Sequence, residues 1–131
     1  MRPALRKVLV VEDNPDIRTI VKAALEMMGG FEVRACESGA EALEAIAQFG
    51  PQLMLLDVMM PDLDGPGVLG RLRERPDTAA LPVVFLTAKA APSEIQRLRA
   101  LGALDVLTKP FDPMTLHEQV QAIWAAAVDP P

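Results

Sequence analysis

Five short aliphatic runs recur along the chain, each followed by a stretch with helical signals, and this alternation constrains the fold more than any other feature. The runs are "KVLVVED", "FEVRAC", "PQLMLLDV", "PVVFLTA" and "LDVLTKP". Those that are nearly continuous in apolar residues fit strands covered on both faces, as in a parallel sheet. The segments between them have readable ends. Asn14 before Pro15 predicts a capped helix start with proline at the first position, and Gly29–Gly30 predicts its stop. Within that segment Ile17, Ile20, Val21, Ala24, Leu25 and Met28 follow helical spacing, and Ala23 and Met27 widen the apolar arc. Ser38 with Glu41 predicts a capping box for a second helix that ends at Gly50. A third helix is expected over about 66–74 and a fourth over about 93–101, with ends uncertain by ~2–4 residues. Asp112–Pro113 is expected to open a fifth, whose stripe is Leu116, Val120, Ile123, Trp124 and Ala127.

Such alternation predicts an α/β fold: a single-domain, doubly wound parallel sheet with helices on both faces. At 131 residues the chain suits one domain, expected over 1–128, with 129–131 as a tail. The net charge of −5 argues against direct nucleic acid binding, because a duplex needs a basic face. Cys36 is the only cysteine and has no internal disulfide partner, which fits a reducing, cytoplasmic setting. No apolar stretch is long enough to span a bilayer, and "MRPALRKV" has no apolar block behind it that would make a signal peptide.

Ligands of such sheets bind outside the carboxyl ends of the strands, where the strand order reverses. The polar residues that interrupt those ends are Glu12 and Asp13, then Asp57, Thr87 and Lys109. Three carboxylates converging on one crevice repel one another, and a hard divalent cation relieves this. Mg²⁺ suits the task, since it accepts one or two carboxylates and commonly takes phosphate oxygens as further ligands. Lys109 is held against Pro110, which restricts the residue before it to extended geometry. A lysine fixed at a strand end implies an anion within reach. A phosphoryl group neutralised by metal on one side and lysine on the other, with the Thr87 hydroxyl on a third oxygen, meets the electrostatic needs of phosphoryl transfer. Asp57, ending the most central apolar run, is the candidate nucleophile that would form an acyl phosphate.

The stretches "VVEDNP", "LLDVMMPDLDG", "FLTA" and "VLTKPF" together resemble the signatures of the response-regulator receiver domain, at that family's spacings, over residues 7–127. The resemblance implies a flavodoxin-like sheet of five strands in the order 2-1-3-4-5 with five helices. It implies that Asp57 is the phosphoacceptor, Thr87 the switch hydroxyl and Lys109 the phosphate-pairing lysine. Glu12, Asp13 and Asp57 become the Mg²⁺ site, with the Met59 backbone carbonyl as a further ligand. A cis Lys109–Pro110 bond is implied as well. The implied partners are a histidine kinase or histidine phosphotransfer protein upstream and a protein target downstream. No effector segment follows Val128 in this chain, so the output is expected through a protein contact or through a domain outside it. Met59 and Lys89 stand two residues after the phosphoacceptor and the switch threonine, positions that tune hydrolysis in the family. Val106 stands three residues before the lysine, where many members carry an aromatic whose rotation reports the switch.

Other readings compete. Glu12 and Asp13 before Asn14–Pro15 also read as a helix-cap cluster, and Asp57, Thr87 and Lys109 each have a bland alternative as turn, strand or solvated residue. A Mg²⁺-dependent phosphatase of the haloacid-dehalogenase type also uses an Asp nucleophile with Thr and Lys. That class has a second Asp two residues on, where Met59 stands, and a cap domain for which this chain has no room. A receiver-like scaffold that is never phosphorylated is a third reading, opposed by the intact set of five site residues. Gly65–Gly70 fits the G-x-G-x-x-G dinucleotide pattern, but "MMPDLD" separates it from the strand and three aspartates would repel a pyrophosphate. It is expected instead to be a weakly propagating helix start. His117 is expected to be a solvated helix residue, and Cys36 and Trp124 to be core.

Overall fold

Each of the five aliphatic runs is a strand in the computed structural model, which describes residues 3–127. The strands are β1 (Lys7–Val11), β2 (Glu32–Cys36), β3 (Leu53–Asp57), β4 (Val83–Thr87) and β5 (Asp105–Thr108). They alternate with α1 (Pro15–Gly29), α2 (Gly39–Phe49), α3 (Gly65–Glu74), α4 (Pro92–Ala100) and α5 (Leu116–Ala126). All pairings are parallel, in the order β2-β1-β3-β4-β5. The expected tail at 129–131, and the boundary at 128, lie outside the described residues.

The chain travels one way from β1 to β2 and the opposite way from β2 to β5, so right-handed crossovers put helices on both faces. Strand residues then divide by their alternation. Leu9, Val11, Met54, Leu56, Val83, Phe85 and Val106 share one core layer with α2, α3 and α4. Val8, Val10, Leu53, Leu55, Val84, Leu86 and Leu107 share the other with α1 and α5. Covered on both sides, every residue of β3 and β4 is buried, which is why their sequences read as unbroken apolar runs.

The helix ends follow the capping chemistry, with instructive departures. Asn14 Oδ1 accepts from the Asp16 and Ile17 N–H groups at 2.9 and 3.1 Å, and Gly30 ends α1 in the left-handed region at φ 70°. Ser38 Oγ accepts from Glu41 N–H at 3.1 Å as the capping box requires, but Glu41 Oε2 reaches back to Glu37 N–H at 3.0 Å, one residue before the cap. The largest correction concerns the fifth helix. Asp112–Pro113 opens a turn rather than the helix: Asp112 Oδ1 accepts from Met114 N–H at 2.9 Å, and α5 begins only at Leu116. Asp–Pro signals a turn as readily as a helix start. On α1 the expected stripe is only partly buried, since Val21, Ala24 and Leu25 face the core while Ile20 is 50% and Met28 43% exposed. His117 is also not solvated: its side chain is 19% exposed, and Nδ1 is buried without a hydrogen-bond partner among the described residues. Cys36 and Trp124 are core, as read; burial above all pushes the Cys36 thiol up to about 11. No described helix is long and apolar enough to cross a membrane.

Candidate functional site

The strand order reverses between β1 and β3, and the carboxyl ends of these two strands carry the acids. Glu12 follows β1 directly and its N–H donates to Cys36 O at 3.0 Å, extending the β1–β2 ladder and burying the side chain. Asp13, next along, is exposed. Asp57 is the last residue of β3 and is 4% exposed. Carboxylate oxygens of Glu12, Asp13 and Asp57 lie within 4.8 Å of one another. The sequence-read acid cluster is therefore assembled in space.

Lys109 completes it from the far side. Its N–H donates to Thr87 O at 2.7 Å, and the Lys109–Pro110 peptide is cis, as the family resemblance implies. The ammonium donates to Glu12 Oε1 at 2.5 Å and to Asp57 Oδ1 at 3.0 Å. Thr87 ends β4, is buried, and accepts from Lys89 N–H through Oγ1 at 3.0 Å. Met59, two residues after Asp57, is 64% exposed.

Three carboxylates meet here and the one ammonium among them bonds two, so negative charge is in excess. Burial, then the Glu12 carboxylate hydrogen-bonded beside it, pushes the Asp57 carboxyl up to about 7 against the opposing pull of Lys109. For Lys109, burial alone would lower the pKa, but its bonds to Glu12 and Asp57 outweigh this and hold it above the ordinary lysine value. Hard oxygen donors, surplus negative charge and one solvent-facing carboxylate suit a hard divalent cation such as Mg²⁺.

Two residues of the site escaped the sequence reading. Gly65 was expected only as a weak helix start, yet a Cβ there would stand 2.6 Å from Asp57 O and 2.9 Å from Val58 Cα. The glycine is needed so that α3 can start against the backbone of Asp57. The Asp–Gly pair at 64–65 was the available signal. Arg18 is the second, and donates from one guanidinium nitrogen to Glu12 O at 2.9 Å and Asp13 O at 3.5 Å. The glycine pattern itself is no phosphate cradle, because Asp64 caps α3 by accepting from Gly67 N–H at 2.8 Å and sets a carboxylate where a pyrophosphate would sit. Val106, at the usual aromatic position, is buried in the α2–α4 layer and paired in register with Phe85. Beside the site, a groove of about 400 Å³ runs from Lys109 along Pro110, Phe111 and Pro113 to Ile17, Ile20 and Val21 of α1.

The family described as response regulator receiver domain matches residues 8–121. The chain belongs to that family. It is similar to an uncharacterized 14.6 kDa protein of Leptolyngbya boryana, 40% identical over 114 residues that make up 87% of this chain and 86% of that one. A probable transcriptional regulator, ycf27, of Guillardia theta is 39% identical over 117 residues, 89% of this chain but only 44% of the regulator. The receiver domain thus spans under half of that longer relative. Among solved structures, the chemotaxis protein CheY4 of Vibrio cholerae superposes with a TM-score of 0.82 at 32% identity, covering 92% of this chain and 99% of that one. The fold is accordingly the flavodoxin-like receiver fold. Receiver domains are signalling modules that interact with histidine kinases and downstream effectors.

Proposed function

We propose that this receiver domain accepts a phosphoryl group on Asp57 from a histidine kinase or histidine phosphotransfer protein, in a Mg²⁺-dependent reaction, and signals by a changed protein-binding surface. The observation that carries this reading is the Lys109 ammonium bridging Glu12 and Asp57 in the crevice where three carboxylates meet. The P–N bond of a phosphohistidine breaks, a P–O bond to an Asp57 carboxylate oxygen forms, and the imidazole leaves with the electron pair and takes up a proton. Glu12, Asp13, Asp57 and the Met59 backbone carbonyl would hold Mg²⁺, which when bound neutralises charge on the phosphoryl oxygens. Lys109 starts within hydrogen-bond distance of the accepting carboxylate and exchanges that anion for the phosphoryl group. The Thr87 hydroxyl accepts from Lys89 N–H and still keeps its own proton to donate to a phosphoryl oxygen.

The output runs through the loop after Thr87 and α4. Val106 is buried and β-branched, so it has no side-chain swing to report, while α4 starts at Ala91 without a side-chain cap. An unchanged β4–α4 loop on phosphorylation would sink this part. The exposed apolar residues Ile20, which lines the groove, and Met27, farther along α1, suit a kinase or phosphotransfer helix bundle. Ile20→Glu and Met27→Glu should slow phosphotransfer from that partner. The Met59 thioether orients a hydrolytic water poorly, so the acyl phosphate is long-lived, and a lifetime of seconds at neutral pH would contradict this. The setting is cytoplasmic, and the downstream target is a protein rather than a nucleic acid, in keeping with the net charge of −5. Incubation with Mg²⁺ and a small-molecule phosphodonor, followed by intact mass, tests the whole. Wild type should gain one phosphoryl adduct and Asp57→Asn none; an adduct surviving in Asp57→Asn overturns the assignment.

A further inference from the structure

Two of the three clustered carboxylates, Glu12 and Asp13, sit on consecutive residues of the short β1–α1 loop. Their usefulness to a cation depends on the orientation of the peptide planes that carry them. Part of that loop is held by its own bonds. Glu12 N–H donates to Cys36 O, Asn14 N–H donates to Glu12 Oε2 at 3.3 Å, and Asn14 Oδ1 caps α1. The carbonyls of Glu12 and Asp13 are held differently. Both accept from the Arg18 guanidinium, at 2.9 and 3.5 Å. The backbone of Arg18 is fixed in turn, because its N–H donates to Asn14 O at 2.9 Å in the first turn of α1.

The choice of acceptor is the informative point. Arg18 stands beside an acidic cluster, yet it forms no ion pair with a described carboxylate and bonds only to main-chain oxygens. Lys109 does the reverse and touches the carboxylates themselves. Both bonds leave the same nitrogen, Nη1, so one corner of the planar guanidinium spans the two neighbouring carbonyls. Used this way, it orders the loop without itself engaging a carboxylate oxygen.

We propose that Arg18 is a positioning residue for the cation site, holding the Glu12 and Asp13 peptide planes so that the two carboxylates converge with Asp57. The inference rests on the Mg²⁺-site reading of Glu12, Asp13 and Asp57. It separates cleanly from a purely electrostatic role. A bystander cation repels a divalent ion, so removing it would tighten metal binding; a positioning group does the opposite when removed.

The test is binding of Mn²⁺ alone, read from the electron paramagnetic signal of the free ion, for wild type, Arg18→Gln, Arg18→Lys and the α1 control Lys22→Gln. Thermal unfolding of each variant without metal accompanies it. Arg18→Gln should weaken Mn²⁺ binding by about 10-fold, the scale on which residues that orient metal ligands act. Arg18→Lys, which keeps the charge but loses the rigid, planar reach that sets Nη1 between the two carbonyls, should restore only part of that loss. Lys22→Gln should bind as wild type does. Phosphorylation by a small donor should then show a raised Mg²⁺ requirement with an unchanged rate at saturating Mg²⁺. Unchanged or tighter Mn²⁺ binding in a folded Arg18→Gln overturns the proposal, as does full rescue by lysine. Failure of wild type to bind Mn²⁺ would overturn the underlying metal-site reading and the inference together.

Discussion

The β1–α1 loop and the β4–α4 loop lie at the same carboxyl edge of the sheet and are built in opposite ways. The first is tied at nearly every residue: Glu12 to β2, Asn14 as a doubly engaged cap, Arg18 over two carbonyls. It leads into a helix of 15 residues with three buried positions. The second has one side-chain bond, Lys89 N–H to Thr87 Oγ1, and enters a helix of 9 residues whose cap Ala91 offers no side-chain acceptor and whose only buried position is Leu98. The acid side of the site is therefore held still, while the hydroxyl side is free to respond. On the proposed function, a phosphoryl group arriving between them would do work on the looser partner, since local stability sets which segment moves.

The largest effect is expected on the acid side, at Gly65. Gly65→Ala sets a Cβ against Asp57 O and Val58 Cα, and should cost about 2–4 kcal/mol in urea unfolding while impairing phosphoryl acceptance. A mild loss there would mean that this side is not as rigid as its bonds suggest.

Next comes the charge held by that rigidity. Folded, Asp57 keeps its proton up to about 7, against 3.8 ordinarily. Between these values the folded state binds more protons than the unfolded state, so stability falls as pH rises through the window. With metal chelated, the loss between about pH 4 and pH 7 should be on the order of 1–2 kcal/mol. Lys109 stays charged throughout this range and adds no slope. Asp57→Asn should flatten the profile relative to wild type, and equal slopes in the two proteins would remove the argument.

The two helix starts give the most direct comparison. Asn14→Ala removes a working cap and should cost ~1 kcal/mol, whereas Ala91→Ser supplies a missing one and should add about 0.5–1 kcal/mol. In hydrogen exchange, Ala91→Ser should raise protection over the first turn of α4 and shrink the change that phosphorylation causes there. Should the response of α4 be undiminished, the looseness of its start is not what the switch uses.

The smallest effect belongs to Asp62, which holds φ 68° in the β3–α3 loop. Asp62→Gly removes the side-chain penalty of the left-handed region and should stabilise by up to ~1 kcal/mol, measured by thermal unfolding.

Much of this was legible in advance. The central strands β1, β3 and β4 announced themselves because burial on both faces leaves no polar alternation, and the caps of α1 and α2 because their hydrogen bonds are local. The start of α5 was not legible, since Asp112–Pro113 satisfies turn and helix signals alike. The exposure of Met28 was not legible, because periodicity marks a stripe without saying how much of it the sheet covers. Gly65 was rightly read as a helix start, but the close approach that demands a glycine there was not legible, because the backbone it meets belongs to the end of β3.

By itself the sequence determined the alternation of elements, the polar residues at the strand ends and, through their combined motifs, the receiver family. Only the tertiary structure decided that one lysine serves two acids, that Asp57 is pushed up to about 7, and that Arg18 grips the loop rather than an acid. The physical reason is range. Helical and strand geometry follow from neighbours a few residues apart, while the Lys109–Glu12 bond joins atoms 97 residues apart, and its consequences depend on burial supplied by the rest of the sheet.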